Sequence, residues 1–165
     1  MTTVIFSHGK ESGPWGSKIT TMAKVTENLG FTVHSIDYQD LPSQEDRVER
    51  LVDIVSQQTG TVILVGSSMG GYVSLVAAER TNVAGVFLLA PALFMPHYEV
   101  QDYRYQGAVN IVHGWQDDVV PVDNAIKYAK SSYANLLLVH DTHSLPNSMP
   151  NISPFFRNWL KAFDI

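Results

Sequence analysis

Short apolar runs alternate with amphipathic stretches along the whole of this 165-residue chain, and this alternation constrains its fold more than any other feature. The runs are residues 3–7, 31–36, 61–65, 84–89, 109–113 and 136–139. They are continuous rather than alternating, which is typical of strands covered on both faces. We therefore predict a doubly wound α/β fold, with a mostly parallel sheet of about six strands and helices on both faces.

The stretches between the runs carry apolar residues at helical spacing. Two of them repeat at i, i+3, i+4 and i+7, namely Val48, Leu51, Val52 and Val55, and Val122, Ala125, Ile126 and Ala129. An aromatic stripe between Phe155 and Phe163 indicates a last helix, and Ser153 with Pro154 suits its start.

The segment Gly66-Ser67-Ser68-Met69-Gly70 follows the third apolar run and precedes a helical stretch. It fits G-x-S-x-G, and strand, tight turn and helix is the context in which this motif indicates a nucleophilic serine. The turn holds the serine in a sparsely populated conformation, so its neighbours must be small. Glycines stand two residues on either side of Ser68, whereas Ser67 has Val65 and Met69 there. Ser68 is the predicted nucleophile.

A serine hydroxyl needs a base within hydrogen-bond reach, and the base needs an orienting acid. Two loops after later strands supply candidates, because ligands of such sheets bind at the carboxyl ends of the strands. The loop at 113–121 offers Asp117, and the loop at 140–145 offers His143. Asp118 competes for the role of the acid, and His140 and His97 compete for that of the base.

Three segments resemble the α/β-hydrolase superfamily: His113-Gly114-x-x-Asp117-x-x-Val120-Pro121, Asp141-x-His143, and His8-Gly9 after the first strand. The resemblance covers nearly the whole chain. It implies a minimal α/β-hydrolase fold of the small, lidless serine esterase or thioesterase type. In that family pattern Ser68, Asp117 and His143 form the catalytic triad.

The resemblance also implies an oxyanion hole made of two backbone N–H groups. One belongs to Met69, the residue after the nucleophile, and the other to Lys10, the residue after His8-Gly9. Aromatic side chains near the loops of the active edge are candidates for a substrate pocket, and we single out Tyr72, Trp115 and Phe94.

Residues 92–108 leave room for a loop and one short helix between the fourth and fifth runs, but not for a lid domain. We expect residues 1–165 to form a single α/β-hydrolase domain without a lid. A lidless site cannot close over its substrate, so we expect it to be shallow and to accept short or exposed acyl groups.

The composition excludes several classes of protein. The chain has no cysteine, which rules out disulfides, thiolate metal sites and a cysteine nucleophile. Its net charge of −5 argues against nucleic-acid partners. No apolar run is long enough to cross a membrane, and no secretory signal is evident at the start, so we expect a cytoplasmic protein.

A metal site deserves consideration because His8, His113, His140 and His143 all follow strands. The helical H-E-x-x-H spacing and a clear carboxylate arrangement are both missing, so we predict neither a metal nor a cofactor.

The predicted function is that of a serine hydrolase cleaving small carboxylic esters or thioesters through an acyl-serine intermediate. Its partner would be a small-molecule substrate, and the chain would be a monomer or a homodimer. A hydrolase-fold binding or signalling protein with little or no turnover is the main alternative, because a fold does not fix a function. A metal-dependent hydrolase is the third.

Overall fold

The computed structural model describes residues 1–163 and places six strands in one sheet, in the order β2-β1-β3-β4-β5-β6. The strands are β1 (Thr2–Ser7), β2 (Thr32–Ile36), β3 (Thr61–Ser67), β4 (Gly85–Leu89), β5 (Ala108–Gly114) and β6 (Asn135–Val139). Every neighbouring pair is parallel. The six predicted runs match these strands to within one or two residues at each end.

Helices follow the strands and cover both faces of the sheet. They are α1 (Ser17–Asn28), α2 (Gln44–Ser56), α3 (Met69–Glu79), α4 (Val122–Ser132) and α5 (Met149–Lys161). Helices α1 and α5 enclose one apolar core, and α2, α3 and α4 enclose the other. Residues Val62–Val65 of β3 are buried because both faces of this central strand are covered. The prediction of a doubly wound α/β fold is confirmed.

The start of the last helix was predicted wrongly. Helix α5 begins at Met149, with Pro150 in its first turn, and Pro154 lies inside it. A proline is tolerated in a first turn because the N–H groups there have no partner within the helix. Ser148 precedes the helix and is tied to the preceding loop, since its Oγ donates to Asp141 Oδ2 at 2.7 Å. The signal at Ser148–Pro150 was therefore the true start.

The direction of strand addition reverses at β1, and this brings two loops together. From β1 the chain adds β2 on one side, and β3 then pairs with β1 on the other. Ser7 and Gly66, at the carboxyl ends of β1 and β3, are register partners. The loop after β1 and the turn after β3 therefore meet at the edge where doubly wound sheets bind ligands.

The connection between β4 and β5, residues 90–107, contains no helix or strand. It runs over the same edge of the sheet as the turn after β3, since the Ala92 N–H donates to the Ser68 carbonyl at 2.9 Å. Within residues 1–163, no helix has the length and apolarity that crossing a membrane requires.

Candidate active site

Ser68 lies between β3 and α3 in a strained backbone conformation, with φ of 54° and ψ of −118°. Such a conformation costs a non-glycine residue about 1–3 kcal/mol and persists only where the surroundings enforce it. Here the Ser68 N–H donates to the Leu89 carbonyl at 2.9 Å, and the Ser68 carbonyl accepts from Ala92 and Gly71, each at 2.9 Å. The backbone is held on both sides, and this fixes the direction of the Cα–Cβ bond that carries the hydroxyl.

The two glycines of the motif are required by close backbone approach. A Cβ atom on Gly66 would lie 2.1 Å from the Gly70 carbonyl oxygen, and one on Gly70 would lie 2.0 Å from the Ser7 carbonyl oxygen. Both distances are far below van der Waals contact. The tight turn after β3 therefore exists only with hydrogen at these positions.

Ser68, His143 and Asp117 form one hydrogen-bonded chain. The Oγ of Ser68 lies 2.9 Å from Nε2 of His143, and Nδ1 of His143 lies 2.8 Å from Oδ2 of Asp117. A carboxylate oxygen can only accept, so Nδ1 carries the proton and Nε2 presents its lone pair to the serine hydroxyl. The structure thus brings the three predicted residues together from the ends of β3, β5 and β6.

The Asp117 carboxylate is fully buried and fully hydrogen-bonded. Its Oδ1 accepts from the backbone N–H groups of Val119 and Val120, both at 2.8 Å. Its Oδ2 accepts from His143 and also lies 3.1 Å from Nε2 of His113. Three hydrogen-bond donors therefore hold the buried carboxylate in position. The rival candidate Asp118 is exposed to solvent.

His113 is a buried neighbour of this chain. Its Nε2 lies 2.9 Å from the Val120 carbonyl, which can only accept, so Nε2 carries the proton and donates it there. Its Nδ1 has no hydrogen-bond partner among the described residues. Burial lowers the pKa of His113 below its ordinary value, so the ring is held neutral.

The four histidines at the carboxyl ends of the strands do not form one cluster. His8 Nδ1 bonds the Gly9 carbonyl at 2.7 Å, and His140 Nδ1 bonds Gln116 at 3.0 Å, while His113 and His143 meet at Asp117. Across residues 1–163, no group of three or more His, Asp or Glu side chains is placed to hold a metal ion.

The candidate oxyanion donors lie in the wall of the cavity that contains Ser68 and His143. Met69 is the first residue of α3, where helix N–H groups and the helix dipole favour negative charge. Lys10 lies in the loop after β1, whose Gly9 backs directly onto Ser68: a Cβ on Gly9 would lie 3.4 Å from that of Ser68. Among residues 1–163 neither N–H has a hydrogen-bond acceptor.

The cavity has a volume of about 600 Å³, which is within the range of small-molecule sites. Its apolar wall comes from two segments. The first contributes Ala92, Met95, Pro96 and Tyr98, and the second contributes Val119 and Val120. The β4–β5 connection is thus short, yet it builds one side of the site.

Lys18 brings a positive charge to the same cavity. Its Nζ donates to the Ser144 carbonyl at 2.9 Å, directly beside His143. Burial lowers the pKa of Lys18, and the nearby Asp141 opposes that shift. Sequence reasoning missed Lys18 because it lies in the first turn of α1, where a lysine carries no signal of which loop it will meet.

Three aromatic residues predicted for the pocket do not line this cavity. Tyr72 faces the core under α3, where its hydroxyl donates to Glu45 Oε1 at 2.8 Å. Trp115 extends into solvent and is 52% exposed. Phe94 packs against Tyr103, with ring centroids 5.2 Å apart. Nearness in sequence to a strand end did not determine the direction of these side chains.

The fold and this geometry define a member of the α/β-hydrolase superfamily. A solved structure of a candidate hydrolase of the alpha/beta superfamily from Xanthomonas campestris pv. campestris is 32% identical to this chain, with a TM-score of 0.89. The match covers 97% of this chain and 98% of that protein. The model of the uncharacterised protein family UPF0227 matches residues 3–108. The chain belongs to this family.

More distant solved structures share the fold. Est1E from Butyrivibrio proteoclasticus is 20% identical, with a TM-score of 0.78 over 97% of this chain and 87% of its own. The monoacylglycerol lipase of Paleococcus ferrophilus is 13% identical, with a TM-score of 0.79 over 96% and 93%. No functionally curated protein matches the chain. The similarities together support a hydrolase function in general terms.

Proposed function

We propose that this protein is a serine hydrolase that cleaves small carboxylic esters or thioesters through an acyl-serine intermediate. The observation that carries the proposal is the chain from Ser68 Oγ through His143 to Asp117, with distances of 2.9 and 2.8 Å, at the wall of an open cavity. A neutral imidazole already hydrogen-bonded to the hydroxyl is the base that a serine nucleophile needs.

The first half of the reaction acylates the serine. Ser68 Oγ attacks the substrate carbonyl carbon while its proton passes to His143 Nε2. The resulting imidazolium is stabilised by Asp117, and the oxyanion is stabilised by the N–H groups of Met69 and Lys10. The tetrahedral intermediate then breaks the bond to the leaving alcohol or thiol, which takes the proton from His143.

The second half releases the acid. A water molecule attacks the acyl carbonyl and gives its proton to His143 Nε2. The second tetrahedral intermediate expels Ser68 Oγ, which regains the proton from His143. The buried Asp117 carboxylate keeps Nδ1 protonated throughout, so Nε2 alternates between base and acid.

The apolar wall formed by Met95, Pro96 and Tyr98 favours an acyl or alcohol group of modest size. Both esters and thioesters fall within the proposal, because the mechanism needs only a leaving group that can take the proton from His143. We propose that the whole chain works as one domain without a lid, because residues 90–107 already serve as cavity wall.

The test compares the wild-type protein with Ser68→Ala on p-nitrophenyl acetate, p-nitrophenyl butyrate and acetyl-coenzyme A. We expect turnover of at least one of them by the wild type and its loss in Ser68→Ala. Ser67→Ala is the matched control, because the neighbouring serine forms no hydrogen bond with His143 among the described residues, and it should retain activity. Equal turnover by wild type and Ser68→Ala would refute the proposal.

A further inference from the structure

A buried arginine beneath the loop after β1 has no part in the chemistry described so far. Arg47, in α2, is only 2% exposed and forms no ion pair with an Asp or Glu of residues 1–163. Its guanidinium carbon lies 5.6 Å from the centre of the Tyr38 ring. Burial lowers the pKa of Arg47, yet a guanidinium stays protonated in proteins. A buried, unneutralised cation is costly, so its hydrogen bonds require an explanation.

The guanidinium donates to two backbone carbonyls. Nε donates to the Leu41 carbonyl at 2.7 Å, and Nη1 donates to the Gly9 carbonyl at 3.2 Å. The Gly9 carbonyl belongs to the same peptide unit as the Lys10 N–H, the candidate oxyanion donor. The charge of Arg47 is therefore directed at one end of the peptide whose other end borders the cavity.

His8 holds the same carbonyl from a second side. The Tyr38 N–H donates to His8 Nε2 at 2.9 Å, so the proton of the neutral ring is on Nδ1. His8 Nδ1 donates that proton to the Gly9 carbonyl at 2.7 Å. The N–H and Oγ of Ser12 also donate weakly to the Gly9 carbonyl, both at 3.4 Å.

Because the Gly9–Lys10 peptide is planar, fixing the Gly9 carbonyl also fixes the direction of the Lys10 N–H. In a trans peptide the C=O and N–H bonds point in opposite directions. A Gly9 carbonyl fixed toward the buried Arg47 and His8 therefore holds the Lys10 N–H toward the opposite side, where Lys10 borders the cavity with Ser68. Hydrogen bonds in series also polarise one another, so a cation on the carbonyl makes the N–H a stronger donor.

We propose that Arg47 is a positioning residue of the oxyanion hole: with His8 it clamps and polarises the Gly9–Lys10 peptide, so that the Lys10 N–H is preorganised for the oxyanion. This inference rests on the proposed function, because it needs a tetrahedral intermediate to act upon. The role is electrostatic and remote, and Arg47 itself does not touch the substrate.

The test uses Arg47→Met, which removes the charge and both donors, and Arg50→Met as the matched control. Arg50 lies three residues further along α2, is partly exposed, and pairs with Asp40 at 2.7 and 2.8 Å. For each folded variant we would measure kcat and KM on the best ester and the affinity for phenylboronic acid. The boronate forms a tetrahedral adduct with a serine and so reports on the oxyanion hole.

We expect Arg47→Met to lower kcat about tenfold or more with little change in KM, and to weaken boronate binding by a similar factor. Arg50→Met should match the wild type in all three quantities. A folded Arg47→Met protein with wild-type kcat, or one with lowered kcat but unchanged boronate affinity, overturns the proposal. The second result would mean that Arg47 only supports the structure.

Arg47→Lys keeps the test decisive if Arg47→Met cannot be purified. A lysine keeps the charge but can reach only one of the two carbonyls, so we expect about a threefold loss in both kcat and boronate affinity. Wild-type values of both overturn the proposal. Failure of the proposed function itself is visible separately, as the absence of Ser68-dependent turnover in the wild-type protein.

Discussion

Nε2 of His113 lies 3.1 Å from Oδ2 of Asp117, the carboxylate oxygen that also accepts from the histidine bonded to the serine. Both side chains are completely buried. Nε2 donates its proton to the Val120 carbonyl at 2.9 Å, so His113 contacts the carboxylate and also holds the loop that follows it. This arrangement makes His113 a support of the acid rather than a rival base.

Replacing His113 should therefore lower activity without abolishing it. We expect His113→Leu to reduce kcat by about tenfold, since Asp117 keeps its two backbone donors but loses one restraint. His113→Gln places an amide N–H near the position of Nε2 and should recover most of that loss. Steady-state kinetics on the best ester checks both variants, and equal kcat for Leu and Gln would contradict the account.

The choice between the two adjacent carboxylates gives a second prediction. Asp117→Asn replaces an acceptor of the His143 proton by a group that can donate, so the wrong tautomer is favoured. We expect a fall in kcat on the order of 10⁴-fold. Asp118→Asn, at an exposed position, should leave kcat within about twofold of the wild type. The reverse pattern in kcat would assign the acid to Asp118.

The strained backbone of Ser68 predicts an effect on stability that is independent of catalysis. Ser68→Ala and Ser68→Gly both remove the hydroxyl, but glycine adopts φ of 54° without steric cost. Glycine also gives the unfolded chain more conformational entropy, which partly offsets the relief of strain. With both effects included, we expect the free energy of unfolding of Ser68→Gly to be about 1 kcal/mol higher than that of Ser68→Ala.

Ser67→Gly is the control for that comparison, because Ser67 is the last residue of β3 and has no positive φ. Glycine there should destabilise the protein by roughly 0.5–1 kcal/mol. Urea unfolding monitored by circular dichroism measures all three variants. A Ser68→Gly protein less stable than Ser68→Ala would show that the turn stores no backbone strain.

The buried histidines predict how stability depends on pH. Burial lowers the pKa of His8 and of His113 in the folded protein, so both rings gain protons more readily in the unfolded chain. Their stabilising contribution is complete above about pH 6.5 and is lost as the pH falls below it, by at most about 1.4 kcal/mol per pH unit for each ring. Carboxyl groups change the free energy of unfolding at lower pH, where they titrate.

Urea unfolding at pH 7.5, 6.5 and 5.5 measures this loss. His113→Gln should reduce the slope between pH 6.5 and 5.5, whereas His97→Asn, at an exposed position, should leave the slope unchanged. Asparagine suits His97 because that residue has φ of 69°. A free energy of unfolding that stays constant from pH 7.5 to 5.5 would rule out a role for buried neutral histidines.

Much of the fold could be predicted from the sequence because its strands are covered on both faces and so are continuously apolar. The region of the site was also predictable, since parallel strands bring their carboxyl ends to one edge. Ser68, Asp117 and His143 could be selected for that reason.

Other features depend on tertiary direction, which a linear pattern does not contain. Tyr72 and Phe94 follow strands of the active edge, yet they pack inward, while Trp115 extends into solvent. The burial of Arg47 had no signal, because arginines on amphipathic helices are usually exposed. The start of α5 was predicted too late because Ser153 and Pro154 also form a sequence that suits a helix start, whereas Pro154 lies inside the helix.

The central claim is that Ser68 is an activated nucleophile, and covalent labelling tests it most directly. The wild-type protein, His143→Ala and Ser68→Ala would each be treated with a fluorophosphonate, and the adducts mapped by mass spectrometry. We predict a single adduct on Ser68 in the wild type, strongly slowed labelling in folded His143→Ala and none in Ser68→Ala. A wild-type Ser68 that stays unlabelled, or that labels equally fast without His143, would contradict the account.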